Sequence, residues 1–307
     1  MKMVFKRFKN VVGIMLLLVA AILTTACSRQ TNSANKGKII ITSTMDFYGE
    51  VAKAVAGKQG QVTSIITDPN VDPHDYDPAP STAQKVAKSR IVIANGLGYD
   101  SWMNNLVKNG NDNLQYIKVG EKIMGQKSGD NPHLWYDPQT MPRVANELAR
   151  RFGKIQPKNK QYFKQNAQKY IASLKPITAK IAQVKKAAKK DGRQQVYVSE
   201  PVFDYAIKAM GFTIGDPKFE NDTEKGTDPA PSTIKAMQKG IQDKKIAFFV
   251  DNKQASSKTV ANLITQAKKQ GIPVLKVTET MPAHKNYQQW MVDQYDQLLE
   301  ILQKEKS

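Results

Sequence analysis

Asp77-Pro78-Ala79-Pro80-Ser81-Thr82 recurs letter for letter as Asp228-Pro229-Ala230-Pro231-Ser232-Thr233. Each copy reads as the start of a helix, with Ser81 or Ser232 as N-cap, because a serine oxygen can accept from the free N–H groups of a first turn. Each is followed by an apolar strand, from Ile91 to Ala94 in the first half and from Ile246 to Val250 in the second. These strands end at Asn95 and at Asp251-Asn252, and a further helix and strand then run out at Lys118-Val119-Gly120-Glu121 and Lys276-Val277-Thr278-Glu279. An identical hexapeptide embedded in the same order of elements implies two copies of one α/β unit.

Between the copies lies a long helical pattern. Phe163, Ala167, Tyr170, Leu174, Ile177, Ile181 and Val184 alternate spacings of four and three, which draws one apolar stripe along a helix. From Lys158 to Lys190 such a helix is roughly 50 Å long at about 1.5 Å per residue. Pro176 should kink it. The stripe reads as a packing face against both lobes. As a coiled-coil seam it runs for barely three heptads, so the chain is expected to be a monomer.

The chain holds three histidines, and two of them sit in similar frames. His74 lies in Asp72-Pro73-His74-Asp75-Tyr76-Asp77-Pro78, and His133 in Asn131-Pro132-His133-Leu134-Trp135-Tyr136-Asp137-Pro138. One frame alone reads as a solvated turn, since proline fixes φ and aspartate caps turns. Two such frames in a chain this poor in histidine point to imidazoles held still beside carboxylates, which is the chemistry of a divalent metal site.

The N-terminus says where the metal would be met. Lys2, Lys6, Arg7 and Lys9 precede an uncharged run from Val11 to Leu23, then Thr24-Thr25-Ala26-Cys27, on the plan of a secretory signal. That apolar run is too short for a comfortable bilayer span. Cys27 is the sole cysteine, which excludes an intrachain disulfide. A small residue just before a lone cysteine resembles a lipoprotein signal, in which the cysteine is acylated; Thr24 stands where that pattern usually has a large aliphatic residue. Residues 28–38 are polar and read as a flexible tether. The rest, about 280 residues, suffices for one large domain or two lobes. A formal charge of +19 could mean nucleic acid, but the lysines are scattered and no basic block is interleaved with aromatics. On a secreted chain they read as a solvated surface facing anionic lipid and wall polymers.

Over residues 38–304 the chain resembles the cluster A-I metal-binding receptors of bacterial ABC importers for manganese, zinc and iron. The resemblance rests chiefly on Asp72 to Pro78, Asn95-Gly96-Leu97-Gly98 before Trp102, and Asn131 to Pro138. It implies an α/β fold of two similar lobes, each with a mainly parallel four-stranded sheet, joined by one long rigid helix with a metal in the cleft. The expected division is a signal over 1–27, a tether over 28–38, an N-terminal lobe over 39–157, the helix over 158–190 and a C-terminal lobe over 191–307. Position by position, the resemblance makes His74 and His133 the ligands of the first lobe, and Glu200, after Val196-Tyr197-Val198-Ser199, the first ligand of the second. The fourth place, usually aspartate, holds Glu279 here, with His284 as the substitute. It also implies an ABC permease as partner, attachment to the membrane through lipid on Cys27, no nucleic acid and no enzymatic activity.

Two neutral imidazoles and two carboxylates carry a charge of −2, which offsets a divalent ion. Nitrogen and oxygen ligation suits manganese and iron as well as zinc, whereas thiolate would favour zinc or copper. Zinc-specific relatives often carry a long histidine-rich loop, but the stretch from Glu121 to Asp130 is short and has no histidine. Manganese is therefore expected ahead of zinc. A secreted metal-dependent hydrolase would use the same residue types, but no HExxH or comparable pair is present. An adhesin role finds no repeat module to carry it.

Overall fold

The computed structural model describes residues 37–255 and 257–304. The signal segment and Cys27 lie outside the described residues. No helix among those described is long and apolar enough to cross a membrane.

The first sheet is built from β1 (Ile39–Met45), α1 (Asp46–Ala56), β2 (Gly60–Ile66), α2 (Pro80–Ala87), β3 (Ile91–Ala94), α3 (Met103–Val107) and β4 (Gln115–Lys118). After α4 (Thr140–Ile155) come α5 (Lys160–Ser173) and α6 (Lys175–Asp191). The second sheet follows: β5 (Gln195–Val198), α7 (Asp204–Met210), β6 (Thr213–Ile214), α8 (Pro217–Glu224), α9 (Pro231–Gln242), β7 (Phe249–Asn252), α10 (Lys258–Lys269) and β8 (Val274–Val277). The described residues end on α11 (Tyr287–Lys304).

The sheet orders are β2-β1-β3-β4 and β6-β5-β7-β8, and every pairing is parallel. Parallel neighbours need helical crossovers, which explains the strict alternation of elements. The shared order makes the duplication visible in topology as well as in the hexapeptide. Both sheets reverse strand order at their middle pair, β1/β3 and β5/β7, and ligands of open parallel sheets lie outside the carboxyl ends of strands at such a point. Met45, Asn95, Ser199-Glu200 and Asn252 stand at those ends.

Two local expectations are corrected. The hexapeptide helices start on proline: Ala79 and Ala230 are the N-caps, Pro80 and Pro231 occupy the first turn, and neither cap makes a side-chain bond. Proline's fixed φ and missing N–H suit that place, so no serine hydroxyl is required. The second-half strand begins at Phe249 rather than Ile246, although Ala247 N already donates to Gln195 O at 2.8 Å.

The connecting helix divides at Leu174. Pro176 has no N–H for the carbonyl of Ala172, and its ring crowds that carbonyl. The chain tightens there instead, Leu174 N donating to Ile171 O at 3.1 Å and Ile177 N to Leu174 O at 3.0 Å. The stripe survives the break: Phe163, Ala167, Tyr170, Leu174, Ile177 and Val184 are buried. Helix α5 packs on α1 and α4, and α6 on α7 and α11.

One hydrophobic cluster runs through both halves. Its middle is aromatic: Trp135 lies 5.0 Å from Phe47, Tyr136 4.9 Å from Phe203, and Phe47 5.9 Å from Trp290 of α11. Polar tips close it, Tyr287 O–H donating to Trp135 O at 2.6 Å and Tyr136 O–H to Thr278 O at 2.6 Å. The two sheets therefore share a core. Phe163→Ala, at a fully buried position, should cost about 3–5 kcal/mol. Ile181→Ala, at a half-buried one, should cost clearly less. Urea midpoints at constant slope test this; equal losses would mean the stripe is not the packing face.

Candidate metal centre

The first histidine frame is a turn pinned from three sides. Asp72 Oδ1 accepts from His74 N at 2.8 Å, the indole N–H of Trp102 donates to Pro73 O at 3.1 Å, and Tyr99 meets the His74 ring edge-on at 4.7 Å. Aspartate turns of this kind fix the backbone without sheet or helix.

The second frame is tighter. Asn131 Oδ1 accepts from both the backbone N and the ring Nδ1 of His133, each at 2.9 Å. Asn131 Nδ2 donates to Pro201 O at 2.6 Å, which settles which end of the amide faces the ring. An acceptor at Nδ1 places the proton there and leaves the Nε2 lone pair free, the usual way a protein orients a metal-binding imidazole. Pro132 O accepts from Asn95 Nδ2 at 2.9 Å, and Tyr48 O–H donates to Asn95 Oδ1 at 2.7 Å. Asn95 is placed by Asp100, whose carboxylate accepts from Asn95 N at 2.6 Å and Gly96 N at 2.9 Å. That turn takes φ of +82° at Gly96, +57° at Leu97 and +95° at Gly98, so two of its three left-handed positions need glycine's freedom.

Among the described residues, His74, His133 and Glu279 form a group whose ligand atoms lie within 4.8 Å of one another. Glu279 Oε1 is 3.8 Å from Nε2 of each imidazole. His133 is fully buried, yet its Nε2 and the opposing Glu279 Oε1 have no hydrogen-bond partner. Leaving such groups unpaired costs about 1–3 kcal/mol each. At 3.8 Å they do not bond one another. Two ligand atoms on a tetrahedral ion with bonds of about 2.1 Å stand roughly 3.4 Å apart, so a small inward shift would close them on a cation. The donor set thus fits a divalent ion.

Glu279 follows β8 and is held through its backbone: Gln254 Oε1 accepts from Glu279 N at 2.6 Å and from Thr280 N at 3.1 Å. Gln254 Nε2 also donates to Pro69 O in the loop after β2, and Thr280 O–H donates to the same carbonyl at 2.7 Å. These bonds tie the lips of a cleft of about 370 Å³ whose lining includes His74, Glu200, Glu224, Lys253 and Glu279.

Glu200 lies in this cleft at the end of β5, its Oε2 accepting from Asn252 Nδ2 at 2.9 Å, but it stands outside the three-residue group. His284 sits in an exposed turn with φ +64°, also outside it. A carboxylate that the motifs did not single out comes closer: Glu224 Oε1, at the end of α8, is 3.9 Å from Nε2 of both His74 and His133. The available signal was position, since Glu224 stands four residues before the second hexapeptide, much as His74 stands three before the first.

The charges press on one another. Burial, reinforced by Glu224 and Glu279, pushes the Glu200 carboxyl up to about 7. Burial disfavours protonating His133, but Glu279 above all, then Glu224 and Glu200, raises its pKa above the ordinary imidazole value. Burial would raise Glu279 too, yet His133 and His74 hold it below the usual carboxylate range.

The family model described as zinc-uptake complex component A, periplasmic (ZnuA), matches residues 41–301, and the chain belongs to that family. It is a cluster A-I metal receptor, the substrate-binding component of an ABC importer and not an enzyme. It is 28% identical to the metal ABC transporter substrate-binding lipoprotein FimA of Streptococcus parasanguinis, over 88% of each chain. It is equally 28% identical, over the same shares, to the iron ABC transporter substrate-binding lipoprotein MtsA of Streptococcus pyogenes. Among solved structures it matches the Mn-bound periplasmic metal binding protein of Candidatus Liberibacter asiaticus with a TM-score of 0.68 at 17% identity, covering 86% of this chain and all of that one. FpvC of P. aeruginosa in complex with Ni2+ matches with a TM-score of 0.71 at 19% identity, over 88% and 98% of the two chains.

Proton competition follows from the charges. A metal bound by His133 and Glu200 would need the first neutral and the second ionised, but both pKa values are raised, so such binding would have to expel protons. Apparent affinity should therefore rise with pH through the range in which these groups lose their protons, that of Glu200 at about 7, by up to about tenfold per pH unit for each proton released. The metal-free fold shows the opposite sign. Raised pKa values stabilise it at low pH, and that contribution fades as pH rises through the folded values. Calorimetry in buffers of different ionisation enthalpy counts the protons; none released near pH 6.5 would exclude these groups from the site.

Proposed function

We propose that this chain captures Mn(II), in preference to Zn(II), outside the cytoplasmic membrane and delivers it to an ABC permease, acting as a monomer tethered through lipid on Cys27. The proposed ligands are His74, His133, Glu200 and Glu279, spanning lobes of 39–157 and 191–307. The observation that carries this reading is the fully buried His133 Nε2, unpaired and facing a carboxylate that is also unpaired.

The preference for manganese is supported by the oxygen-rich cleft and by the absence of any cysteine beyond Cys27. The relatives' names span iron and metals in general, and the similar structures hold manganese or nickel. The family's description names zinc, which makes Zn(II) the competing cargo. Intrinsic affinity favours zinc over manganese in almost any such site, so selection must come from ligand number and geometry.

Saturating Mn(II) at about 100 times Kd should stabilise the wild type by about 2.7 kcal/mol, because the ion binds only the folded state. His74→Ala and His133→Ala should abolish the rise in melting temperature, and His284→Ala should keep it. A full shift in the His133 variant sinks the site. Metal analysis of protein isolated from its native cells should find manganese; stoichiometric zinc would reverse the preference.

Attachment is tested separately. Wild-type protein should partition into detergent with an acylated Cys27, and Cys27→Ser should lose the acyl chains. One chain gives only marginal binding, so two or more are expected. Unmodified wild type recovered from the culture medium would overturn the tether.

A further inference from the structure

Helix α8 is a well-anchored element that presents its last residue to the metal cleft. Asp216 Oδ1 caps it by accepting from Phe219 N at 3.1 Å, Phe219 is fully buried, and Glu220 is buried beside Asp204 at the start of α7. Glu224 is one turn beyond Glu220 and so shares its face of the helix. That face puts Glu224 Oε1 3.9 Å from Nε2 of His74 and 3.9 Å from Nε2 of His133.

The plain alternative is a solvated acid at a helix end. Three observations oppose it. Glu224 is only 21% exposed at its side chain, its ion-pair partners among the described residues are the two imidazoles alone, and no lysine answers it, whereas Asp222 next to it is paired with Lys218 at 2.7 Å. Second, the His133 nitrogen that it faces is fully buried and unpaired, a donor atom aimed at a ligand that Glu279 alone does not supply. Third, the duplication gives Glu224 a reason to be there: the segment just before the first Asp-Pro-Ala-Pro-Ser-Thr carries His74 in a loop, and the segment just before the second carries Glu224 at the end of α8. Glu224 is nearly as close to both imidazoles as Glu279 is, yet it falls outside the group whose ligand atoms all lie within 4.8 Å, so the two carboxylates sit on different sides of the imidazole pair.

We propose that Glu224 is a metal-binding residue of this cleft, its carboxylate coordinating the captured divalent ion from a different side than Glu279 and raising the ligand count above four. This rests on the site proposed above and deepens it. Zinc settles at four ligands, whereas manganese accepts a larger, oxygen-rich set. A fifth protein ligand is thus a means by which this chain could hold manganese despite zinc's intrinsic advantage.

The test uses the full chain without its signal, Co(II) as a spectroscopic probe, and Mn(II) and Zn(II) titrations. In Glu224→Ala the visible Co(II) bands should intensify, as they do when coordination number falls, and Mn(II) affinity should drop at least tenfold while Zn(II) affinity drops less than threefold. An unchanged Co(II) spectrum overturns the proposal whether or not affinity changes, because a residue acting at a distance could alter affinity alone. His133→Ala run in parallel separates the two readings: binding abolished there with a wild-type spectrum in the Glu224 variant defeats this inference only, and binding retained in both defeats the site itself. Should the alanine variant not fold, Glu224→Leu keeps a good helix former with no ligating atom and the same spectral comparison decides.

Discussion

The arrangement depends on one imidazole being taken wholly out of water with one nitrogen satisfied and the other not. His133 is fully buried, and a bare ring nitrogen there is tolerable only because everything around it is fixed. Asn131 holds Nδ1 and reaches across to Pro201, Tyr205 O–H donates to Asn131 O at 2.8 Å, and Asn95 clamps the intervening Pro132. The frame of His133 is therefore also a seam between the two halves. Trp135 and Tyr136, next along, carry the shared aromatic core, so the same short segment sets the donor atom and the packing between the sheets.

That coupling limits how the protein can respond to its cargo. Two lobes hinged on a free linker could swing open, but here α11 crosses back to the first half, where Tyr287 N donates to Glu50 Oε2 at 2.9 Å and Trp290 packs near Phe47. A rotation of one sheet against the other would tear a continuous apolar cluster, and cores resist such shear. Movement is cheaper at the lips, where Gln254 and Thr280 meet Pro69 through hydrogen bonds near solvent. The backbone of Glu279 is bonded to that same Gln254, so the lip contact and the position of this carboxylate share one side chain.

How much of this was legible in the sequence differs element by element. The hexapeptide and the matching strands around it exposed the duplication, because a repeat of order is visible without coordinates; the order β2-β1-β3-β4 was not, since nothing in a strand's own residues names its neighbour. The stripe from Phe163 to Val184 announced a packed helix, and Pro176 announced its break, which falls two residues earlier because the clash is with the preceding turn. Ser81 and Ser232 looked like caps because serine commonly is one, yet the prolines before them had already started the helices. Around the site, the two histidine frames stood out through their prolines. Glu224 has no such frame. It is one acid in an acid-containing helix, and only the fold shows that its end of α8 points at the imidazoles.

The choice of cargo comes down to an excess of negative charge. With neutral imidazoles, Glu200, Glu224 and Glu279 give the cleft a formal charge of −3, one more than a divalent ion offsets. Glu200 is pushed up to about 7 chiefly by burial, and Glu224 and Glu279 add to that push. A site meant only for zinc gains little from this, since imidazole supplies much of zinc's affinity and four ligands suffice. A harder ion that binds imidazole weakly gains more, because each added carboxylate strengthens the part of its binding that nitrogen cannot supply. The crowding of carboxylates around two fixed imidazoles is thus costly for the empty protein and is relieved most by an ion that uses all of them.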